Sequence, residues 1–128
     1  MSRFVHVDIA ADDPKRAADF YQSVFGWKVQ ELPGPEPYWL VSTDASDSAA
    51  IGAGIGKRTE PWQGVAPTIE VTSADEAAAK VVKAGGSIIT PKALMPGVGH
   101  LIAFRDTEGN VLLLREPVRP PDENGAAG

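Results

Sequence analysis

The chain opens on a strict alternation, Phe4-Val5-His6-Val7-Asp8-Ile9. In a strand, Val5, Val7 and Ile9 would face a packed layer, and Phe4, His6 and Asp8 the opposite side. Asp12-Asp13-Pro14 then predicts a helix start, with Asp13 as the cap and Pro14 at the first helical position. Ala17, Phe20, Tyr21 and Val24 recur at helical spacing and form the expected buried stripe. Gly26 ends the helix, and Trp27-Lys28-Val29 begins a strand. Two more strands are expected around Tyr38 to Ser42 and around Ala50 to Gly56, separated by loops at Leu32 to Pro37 and Thr43 to Ser48.

The order then repeats. Thr68-Ile69-Glu70-Val71 alternates like the first strand, with Ile69 and Val71 on one side and Thr68 and Glu70 on the other. Ser73-Ala74-Asp75-Glu76 reads as a capping box, in which Ser73 and Glu76 satisfy each other's free backbone donors. Ala78, Val81 and Val82 supply the apolar stripe of a helix that ends at Gly85-Gly86. Strands follow at Ser87 to Thr90, His100 to Phe104 and Val111 to Arg115, the last two joined by a turn through Glu108-Gly109-Asn110. A strand-helix-strand-strand-strand unit thus occurs twice, and Thr68 stands 62 positions after His6.

Each unit is too small to bury a good core alone, which predicts that the two pack together. The expected fold is α+β. Two βαβββ modules, residues 1–62 and 63–116, would form a curved mixed sheet around a shared cleft within one structural domain. A flexible tail would follow over residues 117–128, where proline and polar residues dominate.

Composition narrows the partners. With 128 residues, 43% hydrophobic and 23% charged, the chain has the make-up of a globular protein rather than a disordered one. A net charge of −5, with Lys57-Arg58 the longest basic cluster, excludes nucleic acid, whose binding needs clustered cations to displace counterions. No apolar run is long enough for a bilayer and no signal peptide is read, so membrane association is not expected. The absence of cysteine removes disulfides, thiolate nucleophiles and thiolate metal ligands, and a cytoplasmic location follows by default. A small molecule remains as the expected partner.

The repeat, with FVHVDIAADDPKRAADFYQSVFGW at one end and FRDTEGNVLLLRE at the other, resembles the vicinal oxygen chelate superfamily of glyoxalase I, extradiol dioxygenases and bleomycin-resistance proteins. It looks most like the branch of predicted enzymes related to lactoylglutathione lyase. The resemblance runs from about Arg3 to Glu116 and implies the paired-module fold and a homodimer. It also implies metal ligands at matching positions of the two repeats. His6 matches the first, but the second falls on Thr68, the third on Leu113, and the last within Ile51-Gly52-Ala53-Gly54-Ile55, which has no side-chain donor. The family metal site is therefore read as lost, with no cofactor expected. Lactoylglutathione lyase and extradiol dioxygenase activities are not expected, since a Lewis-acid metal carries the former. His6 and His100 together with Asp8 or Glu70 are the only alternative source of a two-histidine, one-carboxylate site.

Asp8 and Glu70, related by the same 62-residue offset, should both face the cleft beside His6 and Thr68. His6, Asp8 and Glu70 are the candidate acid/base residues, since a desolvated carboxylate next to an imidazole suits proton transfer. Tyr38, Trp39 and Trp62 are candidate stacking residues, and Thr68, His100 and Leu113 complete the candidate ligand contacts. The Gly52 to Lys57 run lacks phosphate-loop spacing; its glycines instead predict close backbone approach or a bend in a strand. Three functions follow: a metal-independent small-molecule binder of the bleomycin-resistance kind, a lyase or isomerase transferring protons at a carbonyl-containing substrate, or a non-catalytic interaction module with a filled cleft.

Overall fold

The alternation at the start becomes β1 (Arg3–Ala11), in a computed structural model that describes residues 2–118 apart from 45, 48 and 97. The architecture is α+β with mixed strand pairing, and the chain divides into two compact units, Phe4–Thr68 and a second made of Ile69 onward with Arg3.

In the N-terminal unit β1 is followed by α1 (Pro14–Phe25), β2 (Lys28–Leu32), β3 (Tyr38–Ser42) and β4 (Gly52–Lys57). The order β2-β3-β4-β1 is antiparallel except for the final β4/β1 pair, which is parallel. The Asp13 carboxylate accepts from the Arg16 N–H at 3.1 Å, and Gly26 closes α1 in the left-handed region at φ 70°, its N–H donating to the Gln22 carbonyl. The core comprises Ala11, Ala18, Val41, Ala53 and Ile55, against which Val7, Ile9, Ala17, Tyr21 and Trp39 pack. The buried stripe of α1 therefore runs through Pro14, Ala17, Ala18 and Tyr21. Phe20 and Val24, expected in that stripe, are exposed. The spacing of apolar residues was satisfied by two neighbouring faces, and the small Ala18 is the one that lets the helix approach the strands.

In the second unit, β5 (Val65–Glu70) crosses the division and α2 (Ala74–Lys83) follows it. β6 (Ser87–Ile88), β7 (Ala93–Met95) and β9 (Val111–Glu116) all pair antiparallel with the central β8 (Gly99–Arg105). Ser73 caps α2 by accepting from the Glu76 N–H at 3.1 Å. Only this half of the expected box is found among the described hydrogen bonds; another free amide of the first turn, the Ala74 N–H, donates to Glu116 Oε1 at 2.8 Å, a carboxylate distant in sequence. Val71, Ala74, Ile102, Phe104 and Leu114 form the core, with Ala78 and Val81 against it, while Val82 is exposed. The short β7 is a strand that the pattern did not announce. Its three residues are all exposed and flanked by Pro91 and Pro96, so neither alternation nor burial marks it. The expected tail falls, from residue 119, outside the described residues. Among those described, no helix is long and apolar enough to cross a membrane.

Candidate functional site

Strand register brings chemistry from four strands of the N-terminal unit onto the side facing away from α1. Lys28 lies opposite Ser42, Gly52 opposite His6, and Gly54 between Leu40 and Asp8. Gly56 lies between Tyr38 and Ala10. Ala53 and Ile55 of β4 turn into the core, so the other face of that strand consists of Gly52, Gly54 and Gly56. β4 thus presents bare backbone where its neighbours present side chains.

Tyr38 uses that space. Its ring crosses from β3 over Gly56 and Gly54, and a Cβ on Gly54 would overlap the Tyr38 hydroxyl and ring. At the far side the hydroxyl donates to Asp8 Oδ1 at 3.0 Å and lies 3.3 Å from His6 Nε2. His6 Nε2 is itself 3.5 Å from Asp8 Oδ1. The other carboxylate oxygen, Asp8 Oδ2, accepts from the hydroxyl of Thr68 at 3.2 Å, and Thr68 is only 2% exposed. Burial, and then the neighbouring Asp8 charge and hydrogen bond, push the Tyr38 hydroxyl above its ordinary pKa, so it remains a donor. With that proton directed to Asp8, the phenol oxygen accepts from His6. In a neutral ring this places the proton on Nε2 and leaves Nδ1 with its lone pair.

Beside this network is a pocket of about 520 Å³. His6 and Gly52 form one part of it, and Lys28, Gln30, Leu40 and Ser42 another. Gly52 is the one glycine of the β4 face that Tyr38 leaves uncovered, since a Cβ there would meet the Val41 carbonyl and no part of the tyrosine.

The remaining candidates have different surroundings. Adjacent residues of a strand point to opposite faces, so Trp39 packs in the core while Tyr38 joins the polar network, and the two make no common stacking wall. Trp62 is half-buried in the turn before β5. Glu70 belongs to the second unit, where Arg115 lies at 3.3 Å and Arg3 at 3.7 Å from its carboxylate. His100 is a half-buried strand residue between Leu94 and Glu116, and Leu113 faces Ala103 across the β8/β9 pair. The bridging role of Tyr38 and the polar residues Lys28, Gln30 and Ser42 were missed in the sequence. Alternation from Tyr38 through Leu40 to Ser42 was the available signal.

Residues 3–114 match the family described as the Glyoxalase/Bleomycin resistance protein/Dioxygenase superfamily. The chain belongs to this superfamily. No curated protein matches it by sequence. Among solved structures, a hypothetical protein from Bacillus halodurans C-125 aligns with a TM-score of 0.71 at 13% identity, covering 95% of this chain and 99% of that one. Methylmalonyl-CoA epimerase from Mycobacterium tuberculosis aligns with a TM-score of 0.65 at 16% identity, covering 91% and 88%. A Streptomyces coelicolor methylmalonyl-CoA epimerase variant in complex with 2-nitronate-propionyl-CoA gives 0.66 at 18%, covering 90% and 94%. At these identities the likeness establishes the fold that the superfamily shares.

The superfamily fold raises the question of a divalent metal, and the residues present do not fit one. Among the described residues no three of His, Asp and Glu come together. Thr68 is spent on Asp8, both Asp8 oxygens already accept hydrogen bonds, and Leu113 is aliphatic.

Proposed function

We propose that this superfamily member binds a small organic molecule in the pocket of its N-terminal unit, with His6 as the polar contact. The observation that carries the reading is the support behind His6. Tyr38 and Asp8 meet its Nε2, and Thr68 fixes the far carboxylate oxygen, so the imidazole is oriented at a concave surface that is more apolar than polar. The structural neighbours whose names record a CoA ester as ligand support the same class of function. The test is a fragment screen read by amide NMR shifts. Saturable shifts around His6, Ser42 and Gly52 that weaken in His6→Ala are expected; hits scattered over the surface would refute the reading.

A second reading, proton transfer of the lyase or isomerase type, is favoured by the His6–Asp8 contact, which places a carboxylate against an imidazole. In it His6 Nδ1 takes a proton from carbon next to a carbonyl, and Asp8 and Tyr38 orient the ring. Glu70, whose charge is already balanced by Arg115 and Arg3, contributes less. Deuterium incorporation into methylmalonyl-CoA in heavy water, lost in a folded His6→Gln variant, is the outcome expected of this reading. The open pocket weighs against a non-catalytic module with a filled interior. A homodimer belongs to the proposal by family resemblance, and light scattering at two concentrations checks it.

A further inference from the structure

The charge of the pocket lining runs against that of the chain. The sequence carries 17 acidic and 12 basic residues, yet no acidic side chain lines the pocket, and Lys28 is the one lining residue with a permanent charge. Lys28 takes part in none of the ion pairs found among the described residues. Its cross-strand partner is Ser42, which places the ammonium and a hydroxyl donor side by side on one face, with Gln30 two residues along β2. Leu40, the cross-strand partner of Gln30, adds an apolar side chain to this part of the lining, and Gly52 leaves open space beside His6.

We infer that the ligand is an organic anion. Its carboxylate or phosphate lies at Lys28 and Ser42, and its apolar body runs over Gly52 toward His6. A charge-assisted hydrogen bond to an ammonium is stronger than one to a neutral donor, and nothing acidic in the lining offsets it. A neutral ligand of equal shape would leave the Lys28 ammonium to solvent and gain no charge-assisted bond from it. This inference rests on the proposed pocket reading and deepens it.

The test uses hexanoate, hexyl phosphate and hexanamide as probes of the full chain, followed by amide NMR titration. Hexanoate is expected to shift Ser42 and Gly52 saturably with an affinity about tenfold above that of hexanamide. The margin should shrink as sodium chloride is raised, because Lys28 is solvent-exposed. Lys28→Gln should abolish the preference for hexanoate over the amide, and Lys28→Arg should keep it. A preference for hexyl phosphate alone supports the inference and identifies the head group. Equal affinities for acid and amide at the same residues would overturn the anion inference and leave the pocket reading standing. Shifts elsewhere, or none with any probe, would overturn both.

Discussion

The Tyr38 hydroxyl reaches Asp8 Oδ1, 3.0 Å away, only because Gly54 lies beneath it. Tyr38 and Gly54 are on neighbouring strands, and the tyrosine fills the space that a side chain at Gly54 would take. Gly54→Ala would place a Cβ against the hydroxyl, the ring carbon that bears it and His6 Nε2. We expect a loss of about 1–3 kcal/mol in denaturant unfolding, the range for overpacking a close-fitted site. In a Tyr38→Ala background most of that loss should vanish, and additive losses would show that the two residues do not compete for the space.

Tyr38 also sets a pH dependence. Its hydroxyl is held neutral in the folded chain above the ordinary value of 10.0, so the folded state binds this proton more tightly than the unfolded state does. The stabilisation is fully present below pH 10 and is lost as pH rises beyond it, because the unfolded tyrosine ionises first. Ultraviolet titration should therefore show one tyrosine that resists ionisation, absent in Tyr38→Phe. The variant should also show a flatter decline of stability on the alkaline side. A late-titrating tyrosine that survives in Tyr38→Phe would assign the effect elsewhere.

Glu70 is expected to be structural. Its carboxylate and the Arg115 side chain are each about a quarter exposed, so solvent screens the pair and Glu70→Gln should cost about 1 kcal/mol or less. Glu70 does not line the pocket, and hexanoate binding should be unchanged in this variant. A marked loss of binding with a normal melting curve would return Glu70 to the site.

Metal loading provides a direct check on the donor set. After incubation with nickel, manganese, zinc or ferrous iron and gel filtration, elemental analysis should find far less than stoichiometric metal, and no difference between the wild-type chain and His6→Ala. Stoichiometric metal that disappears in His6→Ala would mean that Asp8 exchanges its Tyr38 and Thr68 bonds for a cation.

What the sequence determined by itself is local. Asp13, Pro14 and Gly26 bound α1, Ser73 starts α2, and alternation along β1 separates Val7 and Ile9 from His6 and Asp8. The 62-residue repeat also made the superfamily resemblance legible. Such features depend on near neighbours in the chain, whose geometry the backbone periods of 3.6 and 2 prescribe. Tertiary structure decided the rest. Whether α1 buries Ala18 or Phe20 depends on which face meets the strands, and Arg115, 45 residues away, decides how Glu70 is balanced. The bridge from Tyr38 to Asp8 spans 30 residues and exists through the register of three strands over a strip of glycine. Register is set by summed packing across the sheet rather than by any short stretch, so a line of side chains drawn from four strands becomes visible only in the folded chain.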